Sequence, residues 1–314
     1  MTKNLDIFCH VPRESWFCDR YGAEYNKYSV HNVSHTDLGC DVIWLLAAWC
    51  WRQIPEQVLA AKKVVCTIHH EVPWKFDEVR KKDFLERDKF VDLYHVPCEQ
   101  TRDFVANVTD KPVFIVGYWC NSNIWKQYIR DECKKEFNLS KNSLVVSSFQ
   151  RDTEGSDLKT PKLEKGPDIF CDAVEKLISL DNNVHVLLNG WRRQYVIDRL
   201  NAVNIPYTYI ELPNIETVAK MYCATDLYIV GSRVEGGPQA ILECAMTKTP
   251  IISTNVGMAK DILPDSSIFA PTKDFVPKVP LLSETNKAYI NVQKYKIENY
   301  LNFYDEMFKM VIGD

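Results

Sequence analysis

Several features are missing from these 314 residues, and each absence narrows the reading. There is no block of like charge, and the formal net charge is −4 at pH 7. A chain that held nucleic acid by neutralising phosphates would need a basic face, so the balanced charge speaks against that partner. No apolar run approaches the roughly 20 residues of a bilayer-spanning helix. The longest, Val42–Trp51, is ten residues, which leaves at most a peripheral contact with a membrane open. No secretory leader is read at the start, where Met1-Thr2-Lys3-Asn4 runs directly into a strand-like segment. The eleven cysteines form no C-x-x-C pair. Their odd count, without a leader, gives the expectation of reduced thiols in a cytoplasmic protein. No repeat or low-complexity tract is seen. His69-His70-Glu71 lacks the H-E-x-x-H order, and spacing places no third ligand beside it, so no metal and no other cofactor is expected.

What is present is an ordinary globular composition, 46% hydrophobic and 25% charged, with a length that suits about two domains. Strand-like runs fall at Leu5–Val11, Tyr28–Val33, Asp41–Leu46, Val64–Ile68, Val91–Val96 and Val113–Val116, with helices over Phe76–Lys89 and Glu99–Val108. A second series follows. Helices are read over Ile124–Phe137, from Lys165-Gly166 through Leu180, over Ile215–Ala224 and Gln239–Met246, and finally over Glu284–Val311. Strands are read over Leu144–Ser148, Val184–Leu188, Tyr207–Glu211, Leu227–Val230 and Ile251–Thr254. Strands alternating with helices imply parallel α/β sheets.

The most informative stretch runs from Ser232 to Gly257. A buried strand leads into a turn containing Glu235, Gly236 and Gly237. Pro238 then opens a helix that carries Gln239 and Glu243. Free N–H groups at a helix start favour anions such as phosphate, and carboxylates accept hydrogen bonds from sugar hydroxyls. The plain alternative is a strand–turn–helix with two solvated acids.

With its E-x7-E frame, its G-G-P turn and the T-P-I-I-S-T-N-V-G that follows, this stretch resembles the retaining GT-B glycosyltransferases of family 4. The resemblance implies two Rossmann-like parallel-sheet domains facing a cleft. It divides the chain into an acceptor-side domain, 1–122, a nucleotide-sugar domain, 123–284, and a helix, 285–314, crossing back to the first. It implies that Glu243 accepts from ribose, that Glu235 lies by the donor sugar, and that Gly236, Gly237, Pro238 and Gln239 hold the diphosphate and sugar. Arg151, after the strand Leu144–Ser148, and Lys165 match the cations that grip the diphosphate. A polar loop, Asp152–Glu164, separates them, so Lys159 or Lys162 competes for the second place. The strand ends at Gly190 and Pro213 correspond to the nucleotide-base site.

His69, at the end of a β-branched strand, is similar to the family's histidine that faces the donor sugar; a capping or core histidine is the alternative. The family's glycine-rich loop after the first strand is replaced by Pro12-Arg13-Glu14-Ser15-Trp16, with Gly22 the nearest glycine. Arg13 or Arg20 is a candidate for positive charge there, beside the reading of a surface loop. Seven of the eight tryptophans, at 16, 44, 49, 51, 74, 119 and 125, lie early in the chain, as sugar-stacking faces or as packing. The activity implied is transfer of a sugar from a UDP- or GDP-linked donor to a hydroxyl of a glycan or lipid-linked glycan. The other readings are a non-catalytic sugar- or nucleotide-binding protein on a degenerate scaffold, and a DNA-base glycosyltransferase.

Overall fold

The structure is a computed structural model and describes residues 4–15, 17–180 and 183–313; Trp16 lies outside the described residues. The chain forms two compact units, one of residues 1–119 with 297–314, the other of residues 120–296.

The first unit is built on six parallel strands: β1 (Asp6–His10), β2 (Asn32–Val33), β3 (Val42–Leu45), β4 (Lys63–Thr67), β5 (Leu93–Val96) and β6 (Val113–Ile115). Their order is β2-β1-β3-β4-β5-β6, so the direction of winding reverses between β1 and β3. Alternation along β3 shows how the sheet is buried on both faces. Ile43 and Leu45 join a core with Val64, Cys66, Tyr94 and Val96. Trp44 points the other way, its ring 5.0 Å from that of Tyr25 on helix α1 (Phe17–Tyr28). Helices α2 (Glu56–Ala61), α3 (Glu78–Asp88) and α4 (Glu99–Ala106) complete the βα alternation.

In this unit the strand read at Tyr28–Val33 is corrected. Tyr28 ends α1, and only Asn32–Val33 pairs with β1. The helix forms because Cys18, Tyr21, Gly22 and Tyr25 share a buried stripe at helical spacing. Gly22 serves this packing: a Cβ there would stand 2.6 Å from Val11 Cγ1 and 3.2 Å from Cys9 Sγ.

The second unit begins with α5 (Arg130–Glu136) and β7 (Leu144–Ser148). The helix read over Ile124–Phe137 is thus shorter. Residues 126–128 are drawn off by outside partners, the Tyr128 amide bonding to Cys223 Sγ and the Gln127 side chain to the Met246 carbonyl. A two-stranded antiparallel hairpin follows, β8 (Thr153–Glu154) and β9 (Thr160–Pro161). Then come α6 (Pro167–Ser179), β10 (Val184–Asn189), α7 (Gln194–Ala202), β11 (Tyr207–Ile210), α8 (Ile215–Ala224), β12 (Leu227–Val230), α9 (Gln239–Thr247), β13 (Ile251–Thr254), α10 (Ala259–Ile262), β14 (Ile268–Phe269) and α11 (Leu282–Val292). The parallel sheet runs β11-β10-β7-β12-β13-β14. Counting its strands in chain order, this is the Rossmann sequence 3-2-1-4-5-6, with its switch point between β7 and β12.

The single helix read over Glu284–Val311 is two helices. α11 ends at Val292, and α12 (Ile297–Ile312) belongs to the first unit. The break has a hydrogen-bonding cause: the Tyr295 carbonyl accepts from the Cys120 amide at 2.7 Å, and Lys296, outside the helical region at φ −59° and ψ 136°, forms a parallel bridge with Cys120. α12 is amphipathic and buries Leu301, Tyr304, Met307 and Phe308. No helix among the described residues is long and apolar enough to cross a membrane.

Candidate active site

In a doubly wound sheet, the loops leaving the carboxyl ends of the two strands at the switch point splay apart and leave a crevice. In the second unit these are the loops after β7 and β12, which carry Gln150, Arg151, Ser232 and Glu235. Two glycines bring a third segment to the same place. Gly166 (φ +62°) lies against Gly231, and a Cβ on it would overlap the Gly231 carbonyl. Only glycine tolerates both that approach and that backbone region. Arg233 ties the same segments together through a two-pronged ion pair with Asp168, while its amide donates to the Glu164 carbonyl at 2.8 Å.

The result is that Lys165 Nζ pairs directly with Glu235 Oε1. Both side chains are mostly buried, 19% and 9% exposed. The Lys165 carbonyl accepts from Gln150 Nε2 at 2.6 Å, and Ser232 Oγ lies 3.4 Å from Glu235 Oε1. Of the three lysines considered from the sequence, Lys165 is the one paired with Glu235. The hairpin of β8 and β9 takes up the polar loop, leaving Lys159 exposed at its tip and Lys162 3.7 Å from Glu164. Arg151 is bonded into that hairpin, its Nε donating to the Thr153 carbonyl at 2.9 Å.

Behind Glu235, Gly236 and Gly237 cross against Gly257 (φ +51°), where a Cβ would stand 2.7 Å from the Gly237 amide nitrogen. Pro238 is the N-cap of α9, one position earlier than the first-turn place read from sequence, and its ring makes no cap hydrogen bond. Gln239 starts α9, and Glu243 follows one turn on, buried at 6% exposure. Tyr222 on α8 donates its hydroxyl to Glu243 Oε2 at 2.7 Å. Gly190 (φ +93°) follows β10, its carbonyl accepting from Tyr209 at 2.8 Å. Pro213 follows β11 between the exposed, left-handed Leu212 and Asn214, which caps α8 by accepting from Thr217.

Sequence reasoning missed a buried ion pair beside this crevice. Arg193 is fully buried and donates to Asp152, to the Ser148 carbonyl ending β7 and to the Asn189 carbonyl ending β10. Burial pushes the Asp152 carboxyl up despite the opposing pull of Arg193. The pair joins residues far apart in the chain, and nothing local announces it. Ser232, Gln150 and Tyr222 were missed for the same reason.

In the first unit, His69 follows β4 at the carboxyl edge of the sheet. A carbonyl can only accept, so the 2.8 Å contact with Leu46 O puts a proton on Nε2, and Nδ1 lies 2.5 Å from the Tyr118 hydroxyl. Cys18 Sγ is 3.4 Å from the same Nε2, but burial, then Asp19 and Glu14, push its thiol up to about 12. The loop after β1 holds Arg13 and Ser15 in left-handed conformation (φ 58° and 59°). The amides of Arg13 and Glu14 donate to the two oxygens of Asp19 at 2.8 and 2.9 Å. A carboxylate of the chain itself therefore takes the amides that a glycine-rich loop offers to phosphate. Of the described early tryptophans, Trp44, Trp51, Trp119 and Trp125 are buried, whereas Trp49 and Trp74 are 56% and 57% exposed. Among the described residues, no three of His, Cys, Asp and Glu gather as a metal-binding group.

Residues 157–279 match the family model described as "Glycosyl transferases group 1", a segment that contains Lys165, Glu235, the glycine turn and Glu243. The sequence matches no curated protein. Among solved structures, HepE from Anabaena in complex with UDP-glucose is similar with a TM-score of 0.73 at 12% identity, over 98% of this chain and 100% of that one. Sucrose-phosphate synthase from Thermosynechococcus elongatus is similar with a TM-score of 0.66 at 15% identity, over 96% and 80%. A glycosyltransferase from Rickettsia africae gives 0.64 at 13% identity over the full length of both chains. The two parallel-sheet units are those of the GT-B fold.

Proposed function

We propose that the protein is a retaining, metal-independent hexosyltransferase of the family 4 kind, transferring a sugar from a UDP- or GDP-linked donor to a hydroxyl of a glycan or lipid-linked glycan. The observation that carries the reading is the Lys165–Glu235 pair at the switch point, beside a glycine turn and the helix N-terminus that it leads into. A cation, a helix start reached through a glycine turn, and acceptor carboxylates beside one switch point suit a diphosphate joined to a sugar. Glu243 accepts from the ribose, and the carboxyl ends of β10 and β11, at Gly190 and Pro213, receive the base. UDP and UDP-glucose in the HepE complexes support a uridine donor.

In the transfer, the bond between the sugar's anomeric carbon and the β-phosphate oxygen breaks, and the acceptor oxygen bonds to that carbon on the same face. The acceptor's proton passes to the departing diphosphate. Negative charge grows on the diphosphate as the bond opens, so Lys165, Arg151 and the first amides of α9 stabilise the transition state more than the ground state. Lys165 exchanges part of its hold on Glu235 for the diphosphate, leaving Glu235 to accept from the donor sugar. The acceptor-side role falls to the first unit, where His69 is held in place by Leu46 and Tyr118.

The occupied amides at Arg13 and Glu14 favour a second reading, a binding protein on a GT-B scaffold. A thermal-shift panel of UDP, GDP, ADP and their sugars, followed by donor hydrolysis in EDTA, separates the two. Stabilisation of about 2.7 kcal/mol at a hundredfold excess over Kd, with release of free sugar, is expected of the enzyme. Binding without hydrolysis, and without transfer in a broad acceptor screen, would overturn the catalytic reading.

A further inference from the structure

We infer that Tyr222 is a positioning residue for Glu243, and that together they make the nucleotide site prefer ribose over 2′-deoxyribose. The inference rests on the ribose role proposed for Glu243. Tyr222 lies on α8, which packs beside α9, and is 2% exposed. Its hydroxyl donates to Glu243 Oε2 at 2.7 Å. Its ring is boxed by Phe149, Tyr228 and Trp125, at centroid distances of 4.9, 5.4 and 5.8 Å.

The backbone of Tyr222 is anchored as well. Thr249 Oγ1 donates to the Tyr222 carbonyl at 2.8 Å and lies 2.9 Å from Thr247 Oγ1. Thr247 Oγ1 in turn lies 2.8 Å from the Glu243 carbonyl. These contacts close a buried polar ring that joins the turn of α8 bearing Tyr222 to the turn of α9 bearing Glu243. Burial, and then the Glu243 charge, hold the Tyr222 hydroxyl protonated far above neutral pH, so it is a permanent donor to the carboxylate.

A carboxylate that accepts one fixed bond at Oε2 has its plane and rotamer set before a ligand arrives. Its other lone pairs then keep constant directions, and a ligand meets them without the entropic cost of ordering the side chain. Ribose presents two adjacent hydroxyl donors to such an acceptor, and 2′-deoxyribose presents one. A hydrogen bond to a charged group, when lost, weakens binding roughly ten- to a hundredfold. A carboxylate free to rotate would re-aim at the single remaining hydroxyl and recover part of the loss. Tyr222 therefore acts on the ratio of affinities as well as on affinity itself.

The test is calorimetry with UDP against 2′-deoxy-UDP, and GDP against 2′-deoxy-GDP, on the full chain. The proteins are wild type, Tyr222→Phe, Glu243→Gln and the double variant. Wild type is expected to prefer the ribonucleotide roughly tenfold or more. Tyr222→Phe should reduce that preference at least about threefold while changing deoxynucleotide affinity little, and should do nothing further in the Glu243→Gln background. An unchanged preference in Tyr222→Phe overturns the inference. So does an equal loss with and without Glu243, which would mark Tyr222 as a packing residue. If Tyr222→Phe does not fold, Thr249→Val loosens the same anchor and should lower the preference in the same direction; no change there overturns the inference. Equal binding of ribo- and deoxynucleotide by wild type removes the ribose role along with it, whereas binding of neither nucleotide strikes the proposed donor site itself.

Discussion

Lys165→Ala is the substitution that bears hardest on the proposed chemistry. The Lys165 side chain is 19% exposed and its partner Glu235 is 9% exposed, so removing the ammonium strands a largely buried carboxylate. The cost is about 2 kcal/mol of stability, below that of a fully buried pair because water reaches the lysine. Glu235→Gln in the same chain should return most of that loss, because no unpaired charge then remains. Turnover should behave differently. Additional negative charge on the leaving diphosphate develops only as the bond breaks, so Lys165→Ala should lower kcat roughly a hundredfold, about 2.7 kcal/mol, and weaken donor binding less. Glu235→Gln alone releases Lys165 to the nucleotide: diphosphate binding should tighten while turnover falls. The assay is donor hydrolysis under steady-state conditions, with urea unfolding on the same samples. Lys159→Ala and Lys162→Ala, from the hairpin tip and just after its return strand, are the controls and should leave kcat within about twofold. A Lys165→Ala protein with wild-type kcat, or a larger loss at Lys159 or Lys162, would refute the assignment of the clamp.

Gly166→Ala should destabilise the second unit by more than about 2 kcal/mol in urea unfolding, because it combines a left-handed backbone with overlap of the Gly231 carbonyl; a loss under about 0.5 kcal/mol would contradict that close approach. Arg193→Leu strands the buried Asp152 and should cost about 3–5 kcal/mol, whereas Arg193→Leu with Asp152→Asn should cost distinctly less; equal costs would show that the pair is not coupled. On α12, burial raises the Asp305 carboxyl to about 6, with Glu306 raising and Lys309 lowering it, beside His31 Nε2 at 3.5 Å. An acid whose folded pKa is raised binds its proton more tightly in the native state, so its contribution is present at low pH and is lost as pH rises from about 4 to about 6. Asp305→Asn should therefore gain stability relative to wild type across that window and hold the gain above it. A wild-type-minus-variant difference that is flat from pH 4 to pH 8 would show that the carboxyl is not perturbed.

Much of the second unit was legible in the sequence because its signals are local. Leu144–Ser148, Leu227–Val230 and Ile251–Thr254 are strands buried on both faces, and short clusters of Leu, Val and Ile mark such strands directly. The glycine turn and the start of α9 were legible because backbone conformation at Gly236, Gly237 and Pro238 is set by the residues themselves. α1 was not, since Tyr21, Gly22 and Tyr25 gain their helical stripe by packing on β1 and beneath α12, which lies nearly the whole chain away. The break between α11 and α12 is likewise decided from outside, by the Cys120 amide that takes the Tyr295 carbonyl. The candidate site divides in the same way. The sequence determined which acids, glycines and cations were available and in what order along the chain. Only the tertiary structure decided that Lys165, and neither Lys159 nor Lys162, meets Glu235, that Tyr222 holds Glu243, and that Asp19 fills the amides after β1. The physical reason is that charge pairing and hydrogen bonding depend on distance and burial, and for groups tens of residues apart both are set by the sheet order and the packing of helices upon it.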